Sequence, residues 1–194
     1  MLFIIDAGHA PQTPGKRSPK LEDGRQLLEW RFTRAIARAL CERLSRIGIA
    51  NHELTPHVEE DIAPSSRASM ANDIDTRVAV DTVLVSIHAN AHGNGAEFND
   101  AHGVTVLHYP GSKRSAAIAQ VFQDSIVAAT GWHDRGIKGR GDLSILKHTH
   151  MPAVLTENGF YTHREQCEQL LTAETCDAIV QAHVDAILSV ASNA

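Results

Sequence analysis

Thr82-Val-Leu-Val-Ser-Ile-His88-Ala-Asn90 is the stretch on which the fold turns. Thr82–Ile87 is short, continuous and rich in β-branched residues, as a strand buried on both faces should be. It runs straight into a histidine. Two other stretches share the layout. Leu2–Ile5 is an apolar run ending in Asp6-Ala7-Gly8-His9, and Ala153–Thr156, after Pro152, ends in Glu157-Asn158-Gly159. Between these strands lie helical periodicities. Leu28, Phe32, Ile36, Leu40 and Leu44 recur at i+4 in a helix expected over Leu27–Ile47, with Gly48 as its stop. Further helices are expected over Pro64–Val80, Ser112–Thr130, 163–171 and Ala173–Val190, and further strands over Ile49–Leu54 and Val104–Tyr109. Residues 10–26, with three prolines and two glycines, read as a loop, as do residues 90–102; residues 131–143 read as irregular. Strands alternating with helices predict an α/β fold: a single domain over residues 1–194, with a largely parallel twisted sheet flanked by helices on both faces.

Composition narrows the function. The 194 residues are 43% hydrophobic and 21% charged, the profile of a globular chain long enough to bury a core. With 18 basic against 23 acidic residues, net charge −5, no basic excess draws the chain to nucleic acid. No run approaches the roughly 18 apolar residues of a membrane span. The segment MLFIID lacks the basic region of a signal peptide, is too short and runs straight into a polar turn, so synthesis in the cytoplasm is expected. Three cysteines, an odd number, fit a reducing compartment rather than a disulfide framework. Cys41, Cys167 and Cys176 fall in helical segments and read as small apolar residues, not nucleophiles. Neither a G-x-S-x-G elbow nor a phosphate-binding glycine loop occurs.

Histidine is in excess: 12 residues, more than the five Phe, two Trp and two Tyr combined. In open α/β sheets ligands bind beyond the carboxyl ends of the strands. If the three strands are parallel neighbours, His9, His88 and Glu157 meet at one edge. Two imidazoles and a carboxylate buried together need a partner, and a divalent metal provides one. Taken singly, each residue has a plainer reading: a capping histidine, a turn acid, a helix N-terminal acid. The coincidence of three strand ends carries the case. A further protein ligand is needed, and two carboxylates compete for that role. Glu29 lies three and seven residues before Phe32 and Ile36, at the edge of the core-facing stripe; Glu22 lies in the Pro/Gly loop with no helix to aim it. His148-x-His150 has metal-like spacing but weak strand character, and reads as solvated or substrate-side. The C-terminal helix lacks the cationic face of a membrane-active helix and reads as a core element.

In order along nearly the whole chain, FIIDAGHA, LLEWRFTRAIARAL, Arg67-x-x-x-Ala71-Asn72, LVSIHANA, SAAIAQVFQDSI, RGIK and MPAVLTENGF resemble the landmarks of the zinc-dependent N-acetylmuramoyl-L-alanine amidases of the Amidase_3 family. TPGKRSP resembles a subset that includes phage enzymes. The resemblance implies Zn²⁺ bound by His9, Glu29 and His88, with Glu157 as the catalytic glutamate. It implies hydrolysis of the amide between the lactyl group of N-acetylmuramic acid and L-alanine in peptidoglycan. The expectations that follow are an endolysin-like monomer without a separate wall-binding domain, made in the cytoplasm and acting on the cell wall after release. Its partner is peptidoglycan or muropeptide, with no nucleic acid and no membrane. Alternatives are a zinc peptidase cutting the stem peptide, an enzyme of soluble recycled muropeptides, and a non-catalytic wall-binding protein. Two departures stand out. Ala10 replaces the glycine that usually follows the first histidine, and the stretch after His88 is too short for an occluding helix. Lys138, Arg140 and His148 fall in segments near the expected groove, without an assigned role.

Overall fold

The computed structural model describes residues 1–57 and 59–193. Six strands, β1 (Leu2–Ala7), β2 (Asn51–Glu53), β3 (Thr82–Asn90), β4 (Val104–His108), β5 (Asp134–Gly139) and β6 (Ala153–Phe160), form one sheet in the order β2-β1-β3-β6-β4-β5. The pairs β1–β2, β1–β3, β3–β6 and β4–β5 are parallel; β4 runs antiparallel to β6. The helices are α1 (Glu29–Arg46), α2 (Pro64–Arg77), α3 (Lys113–Thr130), α4 (Ser144–Lys147), α5 (Arg164–Leu170) and α6 (Ala173–Ser192).

Strand alternation divides the core in two. Phe3, Ile5, Val83, Val85, Ile87 and Val154 pack against α1, α3 and α6 through Phe32, Ile36, Phe122, Ile126 and Ile179. Ile4, Leu84, Leu107, Ala153 and Leu155 face a smaller cluster from Ala68 and Ala71 of α2 and Ile145 and Leu146 of α4. Helices therefore cover both faces, the second only in part. Ser112 and Thr172 cap α3 and α6 by accepting hydrogen bonds from the amides of Ser115 and Thr175, and Gly131 ends α3 in the left-handed conformation.

Several expectations are corrected. Residues 131–143 are not wholly irregular, because β5 lies within them. As an edge strand bonded only to β4, it needs no apolar run; its sequence Asp-Arg-Gly-Ile-Lys-Gly hides it. Helix α4 was not expected either. Strands β3 and β6 continue past Ile87 and Thr156, so His88 and Glu157 sit inside strands, paired with each other in register, rather than just beyond the strand ends.

Candidate metal centre and active site

His9 follows β1 with φ 66, the single non-glycine residue with positive φ among those described. Such a backbone must be held, and Arg67 of α2 holds it. Its guanidinium, 4% exposed, donates to Asp6 Oδ1 at 2.9 Å, to the Ala7 carbonyl, to the His9 carbonyl at 3.3 Å and to the Ile62 carbonyl at 3.0 Å. Ser86 donates to the other Asp6 oxygen at 2.6 Å. The Asp61 carboxylate lies 3.6 Å from the same guanidinium, so the buried charge is paired on several sides. Gly8 is required for a separate reason: a Cβ there would lie 2.3 Å from the His88 ring. Ala10 is buried, and its amide donates to Thr13 Oγ1 at 2.9 Å.

Glu29 is the first residue of α1. Its amide donates to the Lys16 carbonyl at 3.0 Å, tying the helix start to the preceding loop. Its carboxylate, 2% exposed, spans the two histidines: Oε2 lies 3.2 Å from His9 Nε2, and Oε1 lies 3.2 Å from His88 Nδ1. The Ala89 amide also donates to Oε1 at 3.2 Å. The two imidazoles stand edge to face, 5.0 Å between centroids. One ligand atom from each of His9, Glu29 and His88 lies within 4.8 Å of the others, the only such trio among the described residues. Of the two competing carboxylates, the structure brings Glu29 to the histidines and leaves Glu22 exposed beside Arg164, 3.5 Å away.

Electrostatics follow from this packing. Burial alone would raise the Glu29 pKa, but the two histidines hold it at about 2. Burial pulls His88 down, and the carboxylates of Glu29, Glu157 and Asp6 together more than reverse this, Glu29 contributing most, for a net rise. Glu157 is pushed up to about 7, first by burial and then by Glu29, against the opposing pull of His88, Lys16 and Arg140. Its Oε2 is buried without a hydrogen-bond partner among the described residues. Two imidazole nitrogens and a carboxylate oxygen, with an orphaned carboxylate alongside, suit a tetrahedral divalent site with one position left for substrate or water.

Two cavities meet at this centre. One, about 460 Å³, lies over the partly covered face of the sheet and is lined by Asp6, Arg67, Ile145 and Leu155; the other, about 310 Å³, is lined by Asn90, Asn94 and Tyr161. His9, Lys16, His88 and Glu157 border both. No helix occurs in residues 91–103, so none occludes the centre there. Arg140 lines the larger cavity, paired with Asp142 at 2.6 Å. Lys138, His148 and His150 are exposed and line neither cavity. The 148–150 backbone is instead latched by Asn72, whose amide bonds the His148 carbonyl at 2.8 Å and the His150 amide at 2.9 Å. Sequence reading did not assign a role to the Arg67 clamp, Asp6, Ser86, Lys16 or Tyr161. The switch from Ile4 to Asp6 and from Leu84 to Ser86 on one strand face was the signal available for two of them.

The model of the Amidase_3 family, described as N-acetylmuramoyl-L-alanine amidase, matches residues 3–189. The chain belongs to this family. A solved N-acetylmuramoyl-L-alanine amidase from Clostridium difficile 630 superimposes with a TM-score of 0.83 at 29% identity, covering 97% of this chain and 95% of that one. The N-acetylmuramoyl-L-alanine amidase CwlM of Bacillus licheniformis is 24% identical over 95% of this chain and 66% of its own length. The endolysin of Bacillus phage SPP1 is 25% identical over 97% of this chain and 65% of its own. The chain thus spans about two thirds of the length of these two curated relatives. No helix among the described residues is long and apolar enough to cross a membrane.

Proposed function

We propose that this Amidase_3 chain is a zinc-dependent hydrolase that cleaves the amide between the N-acetylmuramic acid lactyl group and L-alanine in peptidoglycan, an endolysin-like activity exerted on the cell wall. The observation that carries the reading is the Glu29 carboxylate bridging two imidazoles at 3.2 Å each, with the unpartnered Glu157 beside them where two cavities meet. His9, Glu29 and His88 would hold the ion. A zinc ion bound there supplies Lewis-acid polarisation of the scissile carbonyl and makes water a nucleophile at neutral pH.

The chain's own residues do the rest. Glu157, with a pKa near neutrality, takes a proton from the attacking water and returns it to the departing α-amino group of L-alanine. Lys16 and Arg140 supply positive charge toward Glu157 and restrain the rise in its pKa. The two cavities give the substrate a path on both sides of the cleaved bond. Residues 1–194 act in this reading as one catalytic domain, with no helix in residues 91–103 to occlude the centre.

The test is digestion of purified peptidoglycan by the zinc-loaded protein with identification of newly exposed amino termini, alongside Glu157→Gln. New N-terminal L-alanine, lost in the variant, is expected. New termini on another residue would make the protein a stem-peptide peptidase. No new termini on intact wall, with release of alanine-ended peptide from soluble muropeptides, would move the substrate from wall to fragment.

A further inference from the structure

Behind the metal centre, on the face of β6 turned toward α6, lies a chain of buried polar groups that the proposed chemistry does not use. His183 of α6 is fully buried, its ring 5.6 Å from that of Phe122. Its Nδ1 lies 2.8 Å from the Ile179 carbonyl, which can only accept, so Nδ1 carries the proton. Burial draws its pKa down to about 4, so at neutral pH the ring is uncharged and Nε2 is an acceptor. Thr156 Oγ1, 3.1 Å away, must therefore donate to it. The lone pairs of that hydroxyl remain free to accept, and Asn158 Nδ2 donates to it at 3.0 Å. The same amide group donates to the main-chain carbonyl of His88 at 3.0 Å. Thr156, Asn158 and His183 all have zero exposure.

The end of this chain is placed where the sheet is irregular. His88 pairs with Glu157 in register, but the next pair is Asn90 with Phe160, so β6 carries an extra residue there. Gly159, at φ 80, permits the bulge, and a Cβ there would lie 2.7 Å from Trp132. A bulge leaves ladder groups without their regular partners, and the Asn158 side chain serves the His88 carbonyl in this gap. His88 and Glu157, the two residues that must be held in mutual register, are the last regular pair before it.

We propose that Asn158, Thr156 and His183 are positioning residues: a buried relay anchored in α6 that holds the His88 carbonyl at the bulge and so fixes the His88 ring against the Glu157 carboxylate. For its activity arm the inference rests on the amidase reading; for its metal arm it does not. Groups that orient a ligand from behind typically alter metal affinity or activity about 10- to 100-fold when removed.

The test compares Thr156→Val, which keeps shape and loses the hydroxyl, with Thr156→Ser, which restores it. Zinc affinity is measured by chelator competition on folded protein, kcat and KM on peptidoglycan, and the melting temperature separately. Thr156→Val should weaken zinc binding about tenfold and lower kcat with KM little changed, and Thr156→Ser should return both to within about twofold of the parent. A lowered melting temperature with zinc affinity and kcat at parental values would overturn the inference and leave the relay a packing feature. Should Thr156→Val not fold, His183→Leu, which fills the same space with apolar atoms, is read against the same two results. A parent that binds zinc but frees no alanine termini would sink the amidase reading alone; zinc affinity would still decide the relay.

Discussion

The two faces of the sheet are built by the same strands and differ most plainly along β1 and β3. Toward α1, α3 and α6, β1 presents Phe3, Ile5 and Ala7, and β3 presents Val83, Val85, Ile87 and Ala89, apolar from end to end. Toward α2 and α4 the same strands carry Ile4 and Leu84 and then change to Asp6 on β1 and to Ser86 and His88 on β3; β6 changes from Leu155 to Glu157. On β1 and β3 the change falls at one level, where Asp6 pairs with Ser86; on β6 it comes one step later, since Leu155 pairs with Ser86 and Glu157 with His88. Above that level the face is lined by a cavity instead of a helix. Polar residues entering one face of three neighbouring strands within one pairing step of each other mark the boundary between the core and the candidate site.

If that boundary is real, the largest effect should come from a residue above it that supports nothing below. Glu157→Gln keeps the volume and removes the proton-transfer group. Amidase activity should fall about 10²- to 10⁴-fold while zinc content and the melting temperature stay near those of the parent. Activity within about twofold of the parent would remove Glu157 from the chemistry and leave its neighbours to be searched for the acid–base group.

This boundary also separates what sequence could show from what it could not. Apolar runs ending in Asp6-Ala7-Gly8-His9, in His88 and in Glu157 were legible because buried parallel strands demand such runs and the switch in polarity is abrupt. The helical offset of Glu29 favoured it over Glu22 for the same kind of reason, since period determines facing. The bounds of β3 and β6 were not legible: both strands continue past the switch because backbone pairing is indifferent to the side chains it carries, as the His88–Glu157 pair shows. Strand β5 was hidden because an edge strand has no second neighbour to impose a pattern. The clamp of Arg67 on Asp6 and on the carbonyls of Ala7 and His9 joins residues some sixty positions apart, and no local period encodes such a contact.

Arg67 sharpens the comparison next. It sits at the boundary, lining the larger cavity, in a buried ion pair whose removal leaves Asp6 uncompensated. Arg67→Met should cost about 3–5 kcal/mol of stability, read from denaturant unfolding. It should also weaken zinc binding, because the left-handed backbone at His9 loses its anchor. A stability loss without any change in zinc affinity would confine Arg67 to the core side.

On the apolar face the one buried titratable group of α6 gives a pH test. His183 has its pKa lowered from 6.5 to about 4 in the native state. Above pH 6.5 it is neutral folded and unfolded and contributes no slope. As pH falls from 6.5 toward 4, the unfolded chain takes up a proton that the native ring refuses, so stability falls, by about 3 kcal/mol in all. Below about pH 4 both states are protonated and this slope vanishes. His183→Leu should flatten the stability profile between pH 6.5 and 4 relative to the parent. Parallel profiles would mean that the native ring accepts the proton, and that this face is more open than its zero exposure indicates.

The smallest effect is expected where the same pairing chemistry recurs outside the boundary altogether. Arg43 of α1 donates to Asp177 of α6 and, at 3.1 Å, to Gln181, joining two helices across the surface of the apolar face. Its chemistry matches Arg67 with Asp6, and its setting does not: the Asp177 side chain is 66% exposed, against 2% for Asp6. Water and salt screen the surface pair, and neither partner is left buried when the other is removed. Arg43→Ala should therefore cost less than about 1 kcal/mol, and that cost should shrink further as salt is raised. The Arg67 cost, governed by desolvation of Asp6, should change little with salt. A salt-independent loss of several kcal/mol at Arg43 would show that the α1–α6 seam depends on its polar rim, against the assignment of that face's stability to Ile36, Phe122 and Ile179 beneath it.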